Sequence, residues 1–347
     1  ASGVWIGFIF ASFSIAKFVV MPVAGKLSDQ SGRKKYITSG LFLYSAVSFC
    51  FIFASTPWGL TLLRFGQGFA AAMILPIAQA YAAELAPQNR EGRYMGLFTL
   101  AVFAGFGAGP LMGGFLKDCY GMNFSIYVLT GLTFFAGLMA LFFLPDIAYE
   151  KKKQQLNLSS MFQILKSRAA RSVIVFRSAI AMCRGAIIAF VPILAYNQLK
   201  LSTSQIGLII SATIILTAIL QAPFGILADR VSRKKLILLG GVLVSGSIVT
   251  IPFLTTFTQL LTVSLLYGIF GALVLPAATA IMVGEGRKQG MGSAMSLFNM
   301  SMDFGLAAGP LIGGWAADAW GLQYVFILFS ITGLLGTGFF ILNFRNS

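Results

Sequence analysis

Histidine is absent from the 347 residues of this chain, and only three cysteines, Cys50, Cys119 and Cys183, are scattered along it. A zinc site, a Ser-His-Asp triad, a histidine proton relay and a disulfide framework all need these residue types. The composition therefore argues against a metalloenzyme or a hydrolase. We expect no enzymatic activity, no metal and no cofactor.

Charged residues are also scarce, at 10% of the chain, against about 25% in soluble domains. Hydrophobic residues make up 57%, and the mean hydropathy is +0.85. So little polar material cannot cover a water-facing globule of this size, so the surrounding solvent must be lipid. Acidic residues number 10 against 25 basic ones, a formal charge of +15. Nucleic acid is not the expected partner, because the basic residues fall between apolar runs instead of gathering on one folded surface.

Apolar runs of about 20 residues, the length that crosses a hydrocarbon core as a helix, recur through the chain. They predict eleven membrane spans, at roughly 4–24, 36–55, 58–84, 94–116, 122–145, 172–198, 204–225, 236–255, 258–283, 291–316 and 322–343. The connections are short except at 146–171, where a lysine run precedes a weakly amphipathic stretch at 156–165. We interpret this segment as a linker on the membrane surface between two halves.

The basic residues of the loops fall almost entirely on one side of the membrane, if successive span ends alternate. One set of loops holds only Lys117 and Lys200. The other set holds Lys26, Arg33, Lys34, Lys35, Arg90, Arg93, Lys151, Lys152, Lys153, Lys166, Arg168, Arg171, Arg230, Arg233, Lys234, Lys235, Arg287, Lys288 and Arg345. By the positive-inside rule this second set is cytoplasmic. We therefore expect a multi-pass protein of the cytoplasmic (inner) membrane, with the linker and the C-terminus in the cytoplasm.

An internal repeat relates the two halves at a register of 200 residues without a gap. The matching positions are Gly25, Leu27, Asp29, Arg33, Lys34, Lys35, Leu75-Pro76 and Gly121, which fall on Gly225, Leu227, Asp229, Arg233, Lys234, Lys235, Leu275-Pro276 and Gly321. The span at 172–198 has no partner in the first half, because subtracting 200 places it before Ala1. We therefore predict six plus six helices, with the first absent from this chain. Helices 2–6 lie at 1–147, a cytoplasmic linker at 148–171 and helices 7–12 at 172–347.

The segment at 25–35 reads Gly-Lys-Leu-Ser-Asp-Gln-Ser-Gly-Arg-Lys-Lys, and a degenerate copy lies at 225–235. It is similar to the loop signature between the second and third helices of the major facilitator superfamily of secondary transporters, and the resemblance extends over the whole chain. It implies an all-α membrane fold of two six-helix bundles related by a pseudo-two-fold axis. The halves of such a protein rock about a site at the membrane midplane.

The resemblance also implies that this signature is a conformational latch. Asp29 would face the positive N-terminus of a helix in the opposite half, and Arg33 an acid at the cytoplasmic end of the fourth helix, where only Glu84 is so placed. Gly25 permits a tight exit from a helix, and opposite charges attract strongly where the dielectric is low. The alternative is that the basic residues serve the positive-inside bias alone. The implied latch residues are Gly25, Asp29, Gly32, Arg33 and Glu84, with Asp229 and Arg233 in the second copy.

A run of glycines in the fifth of the expected twelve helices provides a second motif, Gly96-x8-Gly105-x3-Gly109-Pro110-x2-Gly113-Gly114. It resembles the pattern that marks the drug:proton antiporter branch of the family, and every position is filled. Glycines at a spacing of four leave one helix face bare, so that a neighbouring helix approaches closely, and proline removes a backbone hydrogen bond. Plain close packing is the alternative. A copy at 305–314, with Ser296 in place of the first glycine, indicates that part of the pattern is architectural.

Charged residues inside the spans are the main candidates for a functional site, because each costs from about 2.5 kcal/mol upward at a helix centre and usually faces a cavity. At ~1.5 Å per residue, Arg184 and Asp303 each lie ~18 Å into their spans, close to mid-depth. Asp303 is the only acid there, and the alternative to a coupling role is an Asp303–Arg184 ion pair that only packs the second half. We place Lys17, Arg64, Arg184 and Asp303 at a central cavity, with Asn299 and Gln67 as uncharged candidates; Arg177 lies nearer a span end.

Arg64-Phe65-Gly66-Gln67-Gly68 resembles the Arg-x-x-Gln-Gly motif of the family, whose arginine is associated with proton coupling. The register also favours function for the interior charges, since it repeats neither Lys17 nor Arg64 nor Asp303. What the fold requires should recur in both halves.

We predict a secondary active transporter that works by alternating access, with proton-coupled export of organic, drug-like compounds as the first choice. Uptake or exchange of a small organic anion is the alternative within transport, because the interior carries four cations and one acid. A membrane receptor or sensor that keeps the transporter fold is the alternative of another class, which the intact motifs disfavour. The expected partners are a small-molecule substrate, protons and the lipid bilayer, and we expect a monomer.

Overall fold

The computed structural model describes residues 2–87, 91–145 and 158–344, which form helices joined by short turns, with no strand in these ranges. The helices are α1 (Gly3–Ser31), α2 (Arg33–Cys50), α3 (Pro57–Leu85), α4 (Glu91–Tyr120), α5 (Met122–Phe143), α6 (Leu158–Lys166), α7 (Arg168–Asn197), α8 (Thr203–Arg230), α9 (Arg233–Thr250), α10 (Phe257–Gln289), α11 (Met291–Trp320) and α12 (Leu322–Asn343). Short 3-10 turns, Phe51–Phe53 and Ile251–Phe253, follow α2 and α9. The predicted all-helical fold is confirmed.

Ten of these helices are long and apolar enough to cross a membrane, and they coincide with ten of the eleven predicted spans. The eleventh is α11, whose middle carries Asn299, Ser301 and Asp303. Several helices outrun the apolar stretch that predicted them, because backbone hydrogen bonding continues into polar sequence. For example, α7 begins at Arg168 instead of near 172, where the side chain of Ser167 accepts a hydrogen bond from the Ala170 amide and caps the helix.

Several of the tight turns lie at glycines with positive φ. Gly32 joins α1 to α2 at φ 96°, and Gly121 and Gly321, a pair in the 200-residue register, join α4 to α5 and α11 to α12 at 86° and 102°. Only glycine adopts such angles without steric cost. The expected helix exit at Gly25 is wrong, because α1 continues unbroken through Gly25 to Ser31 and turns at Gly32 instead.

The two halves pack in the same order, as the repeat predicts. Helices α1 and α2 pack against α3 as α8 and α9 pack against α10, and α5 packs against α2 and α4 as α12 packs against α9 and α11. The side-chain contacts follow the register too. Ser45 donates to the carbonyl of Thr130 at 2.9 Å, and Ser330 donates to the carbonyl of Ser245 at 2.8 Å. Helix α7 packs on α11 and α12, and no described helix takes the matching place on α4 and α5.

The halves meet along two helix pairs, α1 with α11 and α4 with α8. Glycines permit the approach, since a Cβ at Gly7 would overlap the carbonyl oxygen of Pro310, and one at Gly207 that of Pro110. We call the end of the molecule with the α1–α2 and α8–α9 turns the basic face, and the end with the α4–α5 and α11–α12 turns the opposite face. The orientation of these faces across the membrane stays a prediction.

The linker is described only from residue 158 onward. Its helix α6 packs beside α7, α10 and α11, with Ile164 fully buried among Ala170 and Val173 of α7. Phe162 on the same helix is 65% exposed, as expected for a helix at a membrane surface. Several basic residues used for the topology lie outside the described residues, namely Arg90, Lys151, Lys152, Lys153 and Arg345.

Candidate functional site

The acid at mid-depth is bound to a cation of the other half. Asp303 on α11 is 6% exposed, and its Oδ1 lies 3.1 Å from Nζ of Lys17 on α1. This ion pair replaces the Asp303–Arg184 pair considered from the sequence. Depth along a helix does not reveal which neighbour lies beside a residue, and two helices, α1 and α7, bring three cations near this level. The pair therefore joins the halves instead of packing only the second one.

Arg177 is held by α11 one level closer to the basic face. Its Nε donates to the carbonyl oxygen of Phe298 at 2.8 Å and its Nη2 to the sulfur of Met302 at 3.3 Å, while its guanidinium lies 3.6 Å from the centre of the Phe298 ring. Arg184 and Asp303 both lie close enough to act electrostatically on this guanidinium. Arg177 is thus fixed beside the Lys17–Asp303 pair.

Arg184 is exposed although it lies in the middle of α7. Its neighbour Cys183 donates to the carbonyl oxygen of Phe329 on α12, and Gly185 packs on Pro310 of α11. Residues 183 and 185 point about 100° to either side of residue 184, so Arg184 projects away from both helices. No hydrogen bond or ion pair to its guanidinium occurs among the described residues. Asn299, four residues before Asp303 on α11, is exposed as well.

Arg64 is placed differently, within the first half. Its Nη1 donates to Gln67 at 3.3 Å, and its guanidinium lies 5.7 Å and 5.8 Å from the ring centres of Phe10 and Phe51. Gln67 is buried and donates in turn to Ser48 on α2 at 3.0 Å. These contacts explain the Arg-x-x-Gln pattern, because Gln67, about one turn further along α3, accepts a hydrogen bond from Arg64 while two aromatic rings lie near its guanidinium.

The latch residues of the first copy are together at the basic face. Nη2 of Arg33 lies 2.7 Å from Glu84 at the end of α3 and 3.2 Å from Asp29 on the last turn of α1. The other two guanidinium nitrogens, Nε and Nη1, are buried without a hydrogen-bond partner. Such donors cost free energy where they are not satisfied. A role as a latch stays a prediction, but Arg33 is held by its own half in this conformation.

The second copy is looser. Arg233 and Asp229 are both exposed, and Nη1 of Arg233 reaches only the carbonyl oxygen of Ala280, at 3.4 Å. The buried acid nearby, Glu285, pairs with Lys288 at 3.3 Å. The second copy therefore repeats the sequence of the loop, but Arg233 does not repeat the contacts of Arg33.

At the opposite face, two aspartates that the motifs did not single out tie the halves together. Asp118 at the end of α4 accepts from the amides of Thr203 and Ser204 at 3.3 Å and 2.6 Å, where α8 begins. Asp318 at the end of α11 accepts from the amides of Gly3 and Val4 at 2.5 Å and 2.9 Å, where α1 begins. Each carboxylate faces the positive end of a helix of the other half. The sequence contained a signal for this pair of aspartates, because positions 118 and 318 differ by the 200 residues of the internal repeat.

The glycine motif divides between two tasks. Gly114 meets the other half, where a Cβ would overlap the carbonyl oxygen of Thr203. A Cβ at Gly105, Gly109 or Gly113 would meet no atom of the described residues within 4 Å, and the same is true of Gly96. The motif thus provides a close crossing on one face of α4 and a bare stripe on the other.

Comparisons with known proteins agree with this architecture. The sequence profile of the Major Facilitator Superfamily matches residues 1–181 and 173–347. An uncharacterised MFS-type transporter of Methanocaldococcus jannaschii is 32% identical over 331 residues, which cover 94% of this chain and 85% of that protein. Multidrug resistance protein MdtG of Salmonella arizonae is 27% identical over 334 residues, 94% of this chain and 82% of that one. A crystal structure of the nucleoside transporter NupG is similar in fold, with a TM-score of 0.85 at 17% identity, over 99% of this chain and 92% of that one.

Proposed function

The chain belongs to the Major Facilitator Superfamily, and from that premise we propose that it exports organic, drug-like compounds in exchange for protons. It is a multi-pass membrane transporter and not an enzyme. Its similarity to MdtG, a multidrug resistance protein, supports export. The complete glycine pattern from Gly96 to Gly114 supports the same assignment.

The observation that carries the proposal is the Lys17–Asp303 ion pair, 3.1 Å long, between α1 and α11. Because these helices belong to different halves, the pair stabilises only conformations in which the halves are close at mid-depth. Protonation of Asp303 removes its charge and weakens this tie, and deprotonation restores it. A ligand shifts a conformational equilibrium by its differential affinity for the two states, so proton binding at Asp303 would favour separation of the helices.

Alternating access follows if the two faces open in turn. In this conformation Asp118 and Asp318 hold the opposite face closed, while Arg33 is occupied within the first half. We place the basic face in the cytoplasm, so this conformation is the one that admits substrate from inside the cell. Closure of the basic face would bring Asp29 towards the N-terminus of α11, where it supplies the attraction that the family resemblance implies.

Replacing the acid tests the coupling. In proteoliposomes with an imposed pH gradient, Asp303→Asn should abolish proton-driven transport while downhill substrate exchange survives, because the site remains but the carboxylate proposed to carry the proton is gone. Asp303→Glu is the matched control and should keep proton dependence. Since Asp303→Asn leaves Lys17 without its partner, Lys17→Gln should restore expression of the double variant if stability falls. A well-expressed Asp303→Asn protein with unaltered proton-coupled transport would remove Asp303 from the mechanism.

Exchange of an organic anion is the second candidate function, and one observation favours it. The only mid-depth acid is neutralised by Lys17, whereas Arg184 is exposed with no counter-charge bound to it in the described part of the chain. An exposed cation without a counter-charge attracts negative substrates. The same pH-gradient experiment distinguishes the candidates, since simple anion exchange would proceed at an equal rate in Asp303→Asn.

A further inference from the structure

The corner at which α6 meets α7, at the basic face, presents a cluster of cations to its surroundings. Lys166 lies in the last turn of α6, and Arg168 and Arg171 lie at the start of α7. All three side chains are exposed, and neither helix contains an acidic residue. No hydrogen bond or ion pair to these three side chains occurs in the described part of the chain.

A single residue joins the two helices and fixes the corner. The amide of Ser167 donates to the carbonyl oxygen of Ile164 at 3.0 Å, and its carbonyl oxygen accepts from the Arg171 amide at 3.0 Å. The Ser167 hydroxyl also accepts from the Ala170 amide at 3.4 Å. Arg168 and Arg171 are three residues apart on α7, so their Cβ atoms are about 5–6 Å apart and both side chains can reach one phosphate group.

Helix α6 has apolar residues on two opposite sides. Ile164 is fully buried in a cluster that includes Met282 of α10 and Phe298 of α11. Phe162, two residues earlier, points to the other side of the helix and is 65% exposed. Lys166 follows Phe162 by four residues and therefore lies on the same face. A helix with an exposed aromatic ring beside a cation is suited to lie in a membrane interface.

The cations of this corner differ from others at the basic face. Arg33 lies 3.2 Å from Asp29 and 2.7 Å from Glu84, and Lys288 lies 3.3 Å from Glu285. Among the described residues, the corner has no such counter-charge. Anionic lipid headgroups attract basic segments at a membrane surface, and clustered cations favour a lipid of net negative charge over a zwitterionic one.

We propose that the α6–α7 corner is a binding site for an anionic phospholipid, with Phe162 among the acyl chains and Lys166, Arg168 and Arg171 around the headgroup. A soluble phosphate compound would match the cations but would leave the Phe162 ring in water. Because α6 packs on α7, α10 and α11, the lipid attaches the second half to the membrane surface at the basic face. This site depends on neither the direction nor the coupling of transport.

Quenching of an indole introduced at the site tests the inference. Phe162→Trp keeps an aromatic ring on the exposed face of α6, and the unaltered protein gives the signal of the four native tryptophans for subtraction. The 347-residue variant is reconstituted in phosphatidylcholine vesicles that contain a minor share of brominated phosphatidylglycerol or, in parallel, of brominated phosphatidylcholine. The anionic lipid should bind beside the introduced indole at least about tenfold more tightly than the zwitterionic one, because three cations contribute.

Removal of charge assigns the preference to the corner. In the Phe162→Trp protein, Arg168→Gln combined with Arg171→Gln should lower the preference for the anionic lipid at least about fivefold. Quenching by brominated phosphatidylcholine should stay unchanged, which also shows that α6 is still folded against the protein. Lys26→Gln combined with Lys35→Gln is the matched control, since it removes the same charge from exposed side chains of the first half at the same face. This control should keep the full preference.

Equal quenching by the two brominated lipids, or a double arginine variant that keeps the preference, would overturn the inference. Quenching by neither lipid would also do so, because Phe162 would then face water. An equal loss in the control with Lys26 and Lys35 replaced would make the preference an effect of net charge and not of this corner. Glycerol 1-phosphate added to the vesicles should leave the preference intact. Its loss would assign the cations to a soluble phosphate compound and exclude the lipid site.

Discussion

The two halves carry the same glycine stripe. Among the described residues, only the copy on α11 is packed against another helix. In α11 a Cβ at Gly305, Gly309 or Gly313 would overlap α7, at Ala181, the carbonyl oxygen of Met182 and the Phe190 ring respectively. In α4 the matching glycines face no atom within 4 Å in the part of the chain that the structure describes. The buried cores differ in the same way, since α7 supplies Phe176 and Phe190 to two large clusters in the second half, whereas the cluster formed by described residues of the first half is small.

This comparison shows what the motif is built to do. Glycines 305, 309 and 313 let α7, a helix of their own half, pack closely on α11. Gly314 instead contacts Gly3 of the other half, as Gly114 contacts Thr203. One helix therefore has two close seams about 100° apart around its axis. A motif that resembles an antiporter signature is, in its second copy, a packing device, and its value for transport lies in keeping both seams tight while the halves move.

The largest expected effect comes from filling the stripe. Gly309→Leu should destabilise the protein by about 3 kcal/mol, because the new side chain must displace the α7 backbone at Met182. Gly109→Leu in the same 347-residue chain should leave stability equal or raise it by about 0.5–1 kcal/mol, since the site is open and leucine is the better helix former. Thermal unfolding in detergent measures both. An equal loss at the two positions would mean that another helix covers α4.

The next largest effect should distinguish the two copies of the charged loop. We expect variants of the two copies to differ in transport rate and not in stability. Arg33→Ala should abolish transport and leave the protein folded, because Arg33 binds Asp29 and Glu84 at once. Arg233→Ala should keep most of the transport rate, since Arg233 reaches only the Ala280 carbonyl. Rates in proteoliposomes at matched protein levels decide this. Normal transport by Arg33→Ala and by Asp29→Ala would exclude the latch.

A smaller and symmetric effect is expected at the opposite face. Asp118→Asn and Asp318→Asn should each shift the equilibrium modestly towards the open form, because the neutral amide loses the attraction of the carboxylate for the positive end of the facing helix. The two should be nearly equal and additive, because each carboxylate binds a different pair of amides. Distances between spin labels on α4 and α8, measured by electron–electron double resonance, report the population. A large effect of one aspartate alone would break the symmetry that the register predicts.

The spans, their order and the repeat could be predicted from the sequence, since hydrophobic length and a constant register are one-dimensional properties. The proximity of Arg33 to Glu84 followed only from a family resemblance. The partner of Asp303 could not be predicted, because Lys17, Arg177 and Arg184 all lie near its depth and their lateral positions depend on how helices distant in sequence pack. The caps at Asp118 and Asp318 needed the same packing, although their spacing of 200 residues was visible.

The smallest effect should come from the lysines that end the two loop copies. Lys35→Gln and Lys235→Gln each remove one charge from an exposed side chain at the basic face. Topology depends on the summed bias of the loops and not on one charge, so neither variant should change orientation, expression or transport rate noticeably. Accessibility of a cysteine introduced near the C-terminus, tested from each side of the membrane, reports orientation. A difference between the two lysines would show that the first loop acts through more than its net charge, which would extend the latch beyond Asp29 and Arg33.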